Sequence, residues 1–189
     1  PYIAGNWKMH KTRAEARALN VRLIPEEPLK NACAPRMTVA ENIAFRTFDI
    51  DGNGRPVSWI SAGAIKAFSA HLVEQFKVKT ASLSSPIASL SGGNVQRAVL
   101  ARELTGEVDL LIVSNPCFGL DFSAVAEIRA RIMKARNAGA AVLLMSEDLD
   151  ELLELSDRIL VMSDGALVYE TPIAQASVQT IGEHMAGHH

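Results

Sequence analysis

The stretch that decides the fold is Leu90-Ser91-Gly92-Gly93-Asn94-Val95-Gln96-Arg97, in which a helix-capping residue precedes two glycines and a run of helix formers. It predicts a helix over Ser91–Leu104. The start of such a helix presents unpaired backbone N–H groups, the Ser91 hydroxyl and the positive end of the helix dipole at one point. Gly92 and Gly93 would let a phosphate approach the backbone closely. The stretch indicates either an anion-binding helix start or an ordinary capped helix.

Downstream of this helix, strands and helices alternate. The predicted strands are nearly continuous runs of Leu, Ile and Val: Asp109–Val113, Ala141–Met145 and Arg158–Met162. The helices between them are Ser123–Asn137 and Leu149–Leu155, and Asp164-Gly165 indicates a hairpin turn. Because strands of this composition are typical of sheets covered on both faces, we expect a parallel α/β core in the second half of the chain.

Upstream, the first half is mainly helical. A short strand is predicted at Val21–Ile24, where Pro25 stops it. A helix over Thr38–Phe45 begins with the capping-box pair Thr38 and Glu41. A longer amphipathic helix is predicted over Ala62–Phe76.

Composition restricts the class of protein. The 189 residues are 48% hydrophobic and 21% charged, which excludes a disordered chain. Nineteen Lys and Arg against 21 Asp and Glu give a net charge of −2 without a basic block, so neither nucleic acid nor an anionic membrane is an expected partner. No apolar stretch reaches the roughly 18 residues that a bilayer span needs. Two isolated thiols, Cys33 and Cys117, suit a reducing compartment. We expect a soluble cytoplasmic protein.

No metal site is expected. Asp49-Ile50-Asp51-Gly52-Asn53-Gly54 has the spacing of the first half of an EF-hand loop, but Ile60 stands where the bidentate Glu belongs. This segment is predicted to be a surface turn.

The octapeptide at 90–97 resembles the signature loop of ATP-binding cassette (ABC) ATPases, in the Asn-containing form of importers of simple sugars and nucleosides. Further motifs of the family follow in order between residues 13 and 186. Leu110–Pro116 resembles the Walker B strand, Cys117–Asp121 the D-loop and Val142–Asp148 the strand that ends in the switch residue. Upstream, Ile24–Pro28 resembles the Q-loop segment, with Glu26 at the Q-loop position. Several ordered motifs together are far more specific than any one of them.

The resemblance implies a partial P-loop-NTPase-like (ABC) α/β domain. Residues 13–89 would form the helical subdomain with the Q-loop-like segment, and residues 90–189 the signature helix and the parallel-sheet βαβ half. Residues 1–12 are predicted to form a separate N-terminal strand and loop, with a junction to the rest of the chain near residues 10–13.

Three departures from the family pattern remove the catalytic groups. None of the 12 glycines is followed by Lys, so the sequence lacks the P-loop. Ser114 and Asn115 stand where the family has the Asp that organises Mg²⁺ and the Glu that positions water. Glu147 replaces the switch His and brings a negative charge instead of a donor. We expect no intact catalytic site and no ATP hydrolysis by this chain alone.

The family resemblance nevertheless implies a role in nucleotide binding. In the family, ATP lies between two cassettes, one of which supplies only the signature loop. Ser91, Gly92, Gly93 and Asn94 would bind ATP shared with a partner cassette, with Mg²⁺ held only through that partner, and Gly119, Leu120 and Asp121 would form the D-loop. The implied partners are a second ABC ATPase domain and membrane permease subunits, contacted near residues 26–80. The chain would then be peripheral at the inner face of the cell membrane.

A second resemblance is confined to the N-terminus. Ile3–His10 is similar to the first strand of triose-phosphate isomerase, in which Asn6 and Lys8 would contact substrate. Such a barrel needs about 250 residues and eight βα units. No later segment resembles the catalytic loops of that family. The alternatives are an isomerase-like enzyme or fragment, or an inactive chimeric fragment.

Overall fold

A computed structural model describes residues 20–50, 55–117 and 120–186. The isomerase-like residues Asn6 and Lys8 lie outside these ranges, and so does Gly119 of the D-loop-like segment. The described residues form two compact units, 20–143 and 144–186. The division falls within one strand, after Leu143.

The unit 20–143 combines a small sheet with five helices. Its helices are α1 (Pro28–Asn31), α2 (Val39–Ile43), α3 (Ala62–Gln75), α4 (Gly92–Glu103) and α5 (Phe122–Asn137). Its strands are β1 (Val21–Ile24), β2 (Leu110–Ser114) and β3 (Ala141–Met145), of which β3 continues into the second unit. Short 3₁₀ turns occur at Ala44–Arg46 and Ile87–Ser89.

The sheet has the order β1-β2-β3, and β1 runs parallel to β2 with Ile24 opposite Val113. Ile24, Leu111 and Val113 share one face and are fully buried. On the other face of β1, Val21 and Leu23 are 39% and 45% exposed. The expected parallel sheet is confirmed, and within the described residues the second face of β1 remains partly exposed.

The helices follow their sequence signals. At α2, Thr38 and Glu41 form the predicted capping box: the Thr38 hydroxyl accepts from the Glu41 N–H, and the Glu41 carboxylate accepts from the Thr38 N–H. On the predicted apolar stripe of α3, Leu72 is buried, and Phe76 directly after the helix is buried too. The last three-quarters of α4, from Val95 on, is buried on almost every side, which makes α4 the central helix of this unit.

The unit 144–186 contains the end of β3, the helices α6 (Leu149–Leu155) and α7 (Val178–Met185), and the strands β4 (Arg158–Ser163) and β5 (Ala166–Pro172). β4 and β5 pair antiparallel as a hairpin, and a 3₁₀ turn follows at Ile173–Gln175. The predicted turn residues Asp164 and Gly165 both have positive φ, which matches the right-handed twist of a two-residue hairpin. Ile159, Val161 and Ile181 form the core of this unit.

Candidate functional site

The start of α4 is the centre of the candidate site. Ser91 has an extended backbone, and its carbonyl accepts the N–H groups of Asn94 and Val95 at 2.9 and 3.0 Å. Within the described ranges, the N–H groups of Gly92 and Gly93 donate to no protein acceptor. A Cβ placed on Gly92 would meet no atom within 4 Å. The predicted helix start is therefore confirmed, and it carries two backbone donors without a protein acceptor in the described ranges, at the positive end of the helix dipole.

The Ser91 hydroxyl does not cap the helix, which corrects the capping role that the sequence indicated. It makes no bond to a backbone N–H of α4 and instead accepts a hydrogen bond from Nδ2 of Asn94 at 2.9 Å. Oδ1 of Asn94 accepts the N–H of Lys79 at 2.7 Å. Asn94 thus joins the helix start to the loop 77–83.

The D-loop-like segment lies beside the helix start. The side chain of Leu120 is 3.3 Å from the position of a Cβ on Gly93, so Gly93 allows a close approach of the two segments. Asp121 caps α5 by accepting the N–H of Ala124 at 2.9 Å. The structure therefore brings Gly93 and Leu120 together, while Asp121 stabilises the start of α5.

The Walker B-like positions follow β2. Ser114 ends the strand and is half-buried, and Asn115 adopts a left-handed backbone with φ of 44°. Buried Gln96 of α4 donates from Nε2 to the carbonyl of Pro116 at 3.1 Å and holds this turn against α4. Neither Ser114 nor Asn115 supplies a carboxylate, the ligand that Mg²⁺ prefers, so these side chains do not fit a primary Mg²⁺ site.

Glu26 lies at the same edge of the sheet. It follows β1, whose last residue Ile24 pairs with Val113, so Glu26 and Ser114 both follow carboxyl ends of neighbouring parallel strands. This edge is where open α/β sheets bind ligands. Glu26 is exposed, and its carbonyl accepts from Nδ2 of Asn31 at 2.6 Å.

A cluster of arginine contacts, which the sequence did not indicate, connects three helices. Arg131 of α5 lies 3.9 Å over the ring of Phe76, and it donates to the Gln75 carbonyl and the Glu127 carboxylate, both at 2.8 Å. Arg97 of α4 reaches the same carboxylate at 3.4 Å. The end of α3 is therefore attached to both α4 and α5.

The opposite end of α4 carries a buried ion cluster. The carboxylate of Glu103 is bonded by Arg46 at 2.7 Å and by Arg102 at 2.7 Å. Burial lowers the pKa of nearby Arg22, with a further lowering from Arg46, while Glu103 opposes both. Burial also raises the pKa of the Cys33 thiol, against the opposing charge of Arg102. This cluster fixes α4 to the first 3₁₀ turn and is structural.

In the unit 144–186, the switch position is occupied by exposed Glu147. Directly after it, Asp148 caps α6 by accepting the N–H groups of Asp150 and Glu151. Buried Glu151 accepts from the Ser146 hydroxyl at 2.7 Å. These carboxylates lie at the start of α6, where the helix dipole favours negative charge.

Metal-ligating clusters and long apolar helices are two further features that would mark a functional site. Among the residues that the structure describes, no group of three or more His, Cys, Asp or Glu side chains could hold a metal ion. A bilayer crossing would require a longer and more apolar helix than any in the described ranges.

Comparison with curated proteins identifies clear relatives. The glucose import ATP-binding protein TsgD13 of Haloferax volcanii is 38% identical over 169 residues, which are 88% of this chain and 30% of that protein. The nucleoside import ATP-binding protein NupA of Lactococcus lactis subsp. cremoris is 36% identical over an alignment of 190 positions, which covers 97% of this chain and 37% of that protein. The chain thus spans about a third of the length of the relatives it matches. No family model matches the sequence.

Solved structures share the fold. A dimeric structure of MJ0796, a bacterial ABC transporter cassette, matches with a TM-score of 0.67 and 19% identity over 85% of this chain and 66% of that chain. A dimeric post-hydrolysis state of the same cassette with ADP and Pi matches with a TM-score of 0.66 and 18% identity, covering 87% and 68%. The fold is therefore that of an ABC-type ATP-binding cassette, represented in part. The homologues of this chain are ATP-binding proteins of sugar and nucleoside importers.

Proposed function

We propose that this chain is a degenerate nucleotide-binding domain of a sugar- or nucleoside-type importer, and that it supplies Ser91, Gly92, Gly93 and Asn94 to the ATP site of a partner cassette. The observation that carries the proposal is the start of α4. Two N–H groups without a protein acceptor in the described ranges adjoin open space at Gly92, beside an exposed hydroxyl. Such an arrangement fits a phosphate oxygen brought by another molecule.

The chain would not hydrolyse ATP alone. The uncharged side chains of Ser114 and Asn115 cannot replace the carboxylates that hold Mg²⁺ and position the attacking water. Glu147 would add negative charge where the family has a donor. Mg²⁺ and the P-loop would both come from the partner cassette, and ATP would be shared between the two.

Permease coupling is proposed for the helical half, near residues 26–80. This region exposes large apolar side chains, among them Phe45, Ile60 and the 88% exposed Trp59. Exposed apolar side chains that adjoin one another, as Trp59 and Ile60 do in the sequence, are typical of protein-binding surfaces. The chain would accordingly work from the cytoplasmic face of the membrane, through the permease.

The test mixes the full chain with a cassette from the same importer that carries an intact P-loop and both Walker B carboxylates, and measures phosphate release from Mg-ATP. We expect the chain to raise the rate of the partner. Gly92→Glu should reduce that gain at least about tenfold, because a carboxylate would occupy and repel the phosphate position. The substitution should not weaken α4, since a negative charge at a helix start is favourable.

Gly182→Glu is the matched control. Gly182 also lies in a helix, and a Cβ there meets no atom within 4 Å either, so the same charge is added at an equally open glycine. This control should stimulate the partner like the unmodified chain. Absence of any stimulation, or an equal loss in both variants, would contradict the proposal. Tight, Mg²⁺-dependent ATP binding by the chain alone would contradict the degenerate assignment.

A further inference from the structure

The side chain of Ser91 differs from most of the side chains that precede helices in the described part of the chain. At five other helices the corresponding side chain accepts a backbone N–H of its own helix: Thr38, Ser61, Asp121, Asp148 and Ser177. The backbone of Ser91, with φ −65° and ψ 156°, is nearly the same as that of Thr38, with φ −67° and ψ 161°. Its backbone therefore permits capping, and another contact must turn the hydroxyl away.

That contact is Asn94, whose amide orientation is determined by Lys79. The Lys79 N–H is a donor, so the atom 2.7 Å from it must be Oδ1 of Asn94. A flipped amide would bring two donors together. Nδ2 consequently faces Ser91 and donates to its Oγ at 2.9 Å.

The direction of this second bond determines what the Ser91 hydroxyl can do. Because Oγ is the acceptor toward Asn94, the proton of the hydroxyl does not point at Asn94 and is available to an outside acceptor. Ser91 is exposed, so this donor lies at the surface beside the N–H groups of Gly92 and Gly93. An ordinary capping serine would have its oxygen turned toward the helix backbone instead.

We propose that Asn94 is a positioning residue that keeps the Ser91 hydroxyl turned outward as a hydrogen-bond donor to the terminal phosphate of a nucleotide held by a partner cassette. The inference rests on the proposed function. It adds that the loop 77–83, through the Lys79 N–H, determines the orientation of the Ser91 hydroxyl, which donates the hydrogen bond to the phosphate. Asn94 itself need not touch the nucleotide.

Two variants of Asn94 test the direction of the bonds. Asn94→Asp keeps an acceptor for the Lys79 N–H, but its carboxylate accepts the Ser91 proton and turns the hydroxyl inward. Asn94→Ala removes both bonds and leaves the hydroxyl free to rotate. We expect stimulation of the partner cassette to fall about tenfold in Asn94→Asp and about threefold in Asn94→Ala, the size expected for loss or weakening of one charge-assisted hydrogen bond.

The same substitutions are then made together with Ser91→Ala. If Asn94 acts through the hydroxyl, Asn94→Ala should have less than about a twofold effect once the hydroxyl is gone. Asn94→Asp should retain only a small, salt-sensitive loss from its added charge. Equal effects of Asn94→Ala with and without the hydroxyl would overturn the proposal while leaving the proposed function intact.

A measurement on the full chain alone tests the geometry independently of any partner. In a ¹⁵N–¹H NMR spectrum, the Lys79 amide proton should shift upfield in Asn94→Ala and stay near its original position in Asn94→Asp. An unchanged Lys79 signal in Asn94→Ala would overturn the positioning role. Failure of the unmodified chain to stimulate the partner would instead contradict the proposed function. It would also contradict the assignment of a nucleotide phosphate as the acceptor of the Ser91 hydrogen bond.

Discussion

Single buried amide side chains stabilise the candidate site and the loop before α2. Gln96 reaches the Pro116 carbonyl, and Asn42 holds residue Ala34 at both its N–H and its carbonyl, at 2.8 and 3.1 Å. Each bond satisfies a buried or partly buried backbone group, and leaving a buried group unsatisfied costs more than the bond itself contributes. At the scale of the residue, the shape of the site thus depends on amide side chains as well as on its glycines.

Gln96→Met is expected to lower the free energy of unfolding by about 1–2 kcal/mol. The substitution keeps the side-chain volume but leaves the Pro116 carbonyl without its donor. Gln75→Met is the matched control, because Gln75 is exposed and only its backbone carbonyl is used, by Arg131. Urea unfolding followed by circular dichroism compares the two. Equal stabilities of the two variants would show that the Gln96 bond contributes nothing.

The capping box of α2 predicts a dependence on pH. The hydrogen bonds from the side chain and the backbone of Thr38 lower the pKa of Glu41. A lowered pKa means stabilisation that is present above the ordinary Glu pKa and is lost as the pH falls through the lowered value. Glu41→Gln keeps an acceptor for the Thr38 N–H but cannot titrate.

The unmodified chain should therefore be more stable than Glu41→Gln at neutral pH, and the difference should disappear in acid. Thr38→Ala should cost about 1 kcal/mol at neutral pH and should move the Glu41 pKa back up, as followed by NMR titration of its carboxyl carbon. A Glu41 pKa that does not respond to Thr38→Ala would contradict this account.

At the scale of the element, α4 links the proposed phosphate site to a buried ion cluster about one helix length away. Glu103 is 2% exposed at the side chain, whereas its partner Arg46 is 40% exposed. Glu103→Gln should destabilise the unit 20–143 by about 3 kcal/mol, because Arg102 would keep a buried charge without its carboxylate. Urea unfolding of the variant and of the unmodified chain measures this loss in the free energy of unfolding.

Lys30→Gln is the control for this prediction. It breaks the Lys30–Glu27 pair in the same unit, whose side chains are well exposed, and should change stability by less than about 0.5 kcal/mol. Should Glu103→Gln prove as mild as Lys30→Gln, the buried cluster is not a determinant of stability.

The elements were largely predictable from the sequence because their signals are local. The box at Thr38 and Glu41, the apolar run of β2 and the turn at Asp164 and Gly165 each depend on neighbours a few residues away. The contacts of the site depend on distant residues. Ser91 could not be distinguished from a capping serine without Lys79, which approaches it only after α3 has packed against α4. The burial of Gln96 and Glu103 was likewise hidden, since polar side chains carry no burial signal of their own.

At the scale of the whole molecule, the chain corresponds to part of a cassette and to about a third of its curated relatives. Ser114 and Asn115 are uncharged, and no glycine in the sequence is followed by the Lys of a P-loop. Two separate features would therefore prevent ATP hydrolysis: the missing carboxylates at positions 114 and 115, and the missing P-loop. Restoring one of them should not restore the reaction, because positioning of the phosphates and stabilisation of their charge act together.

The double variant Ser114→Asp, Asn115→Glu should accordingly release no phosphate from Mg-ATP above background. It should also be less stable by about 1–2 kcal/mol, because residue 115 has a positive φ of 44°, a left-handed conformation that costs Glu more than Asn. Asn115→Gly serves as the backbone control, since Gly adopts this conformation without strain and also adds no carboxylate. A phosphate-release assay with and without Mg²⁺, together with thermal unfolding, distinguishes the outcomes. Steady Mg²⁺-dependent turnover by the double variant alone would show that the chain contains a phosphate-binding loop of its own, and that the role proposed for a partner cassette is unnecessary.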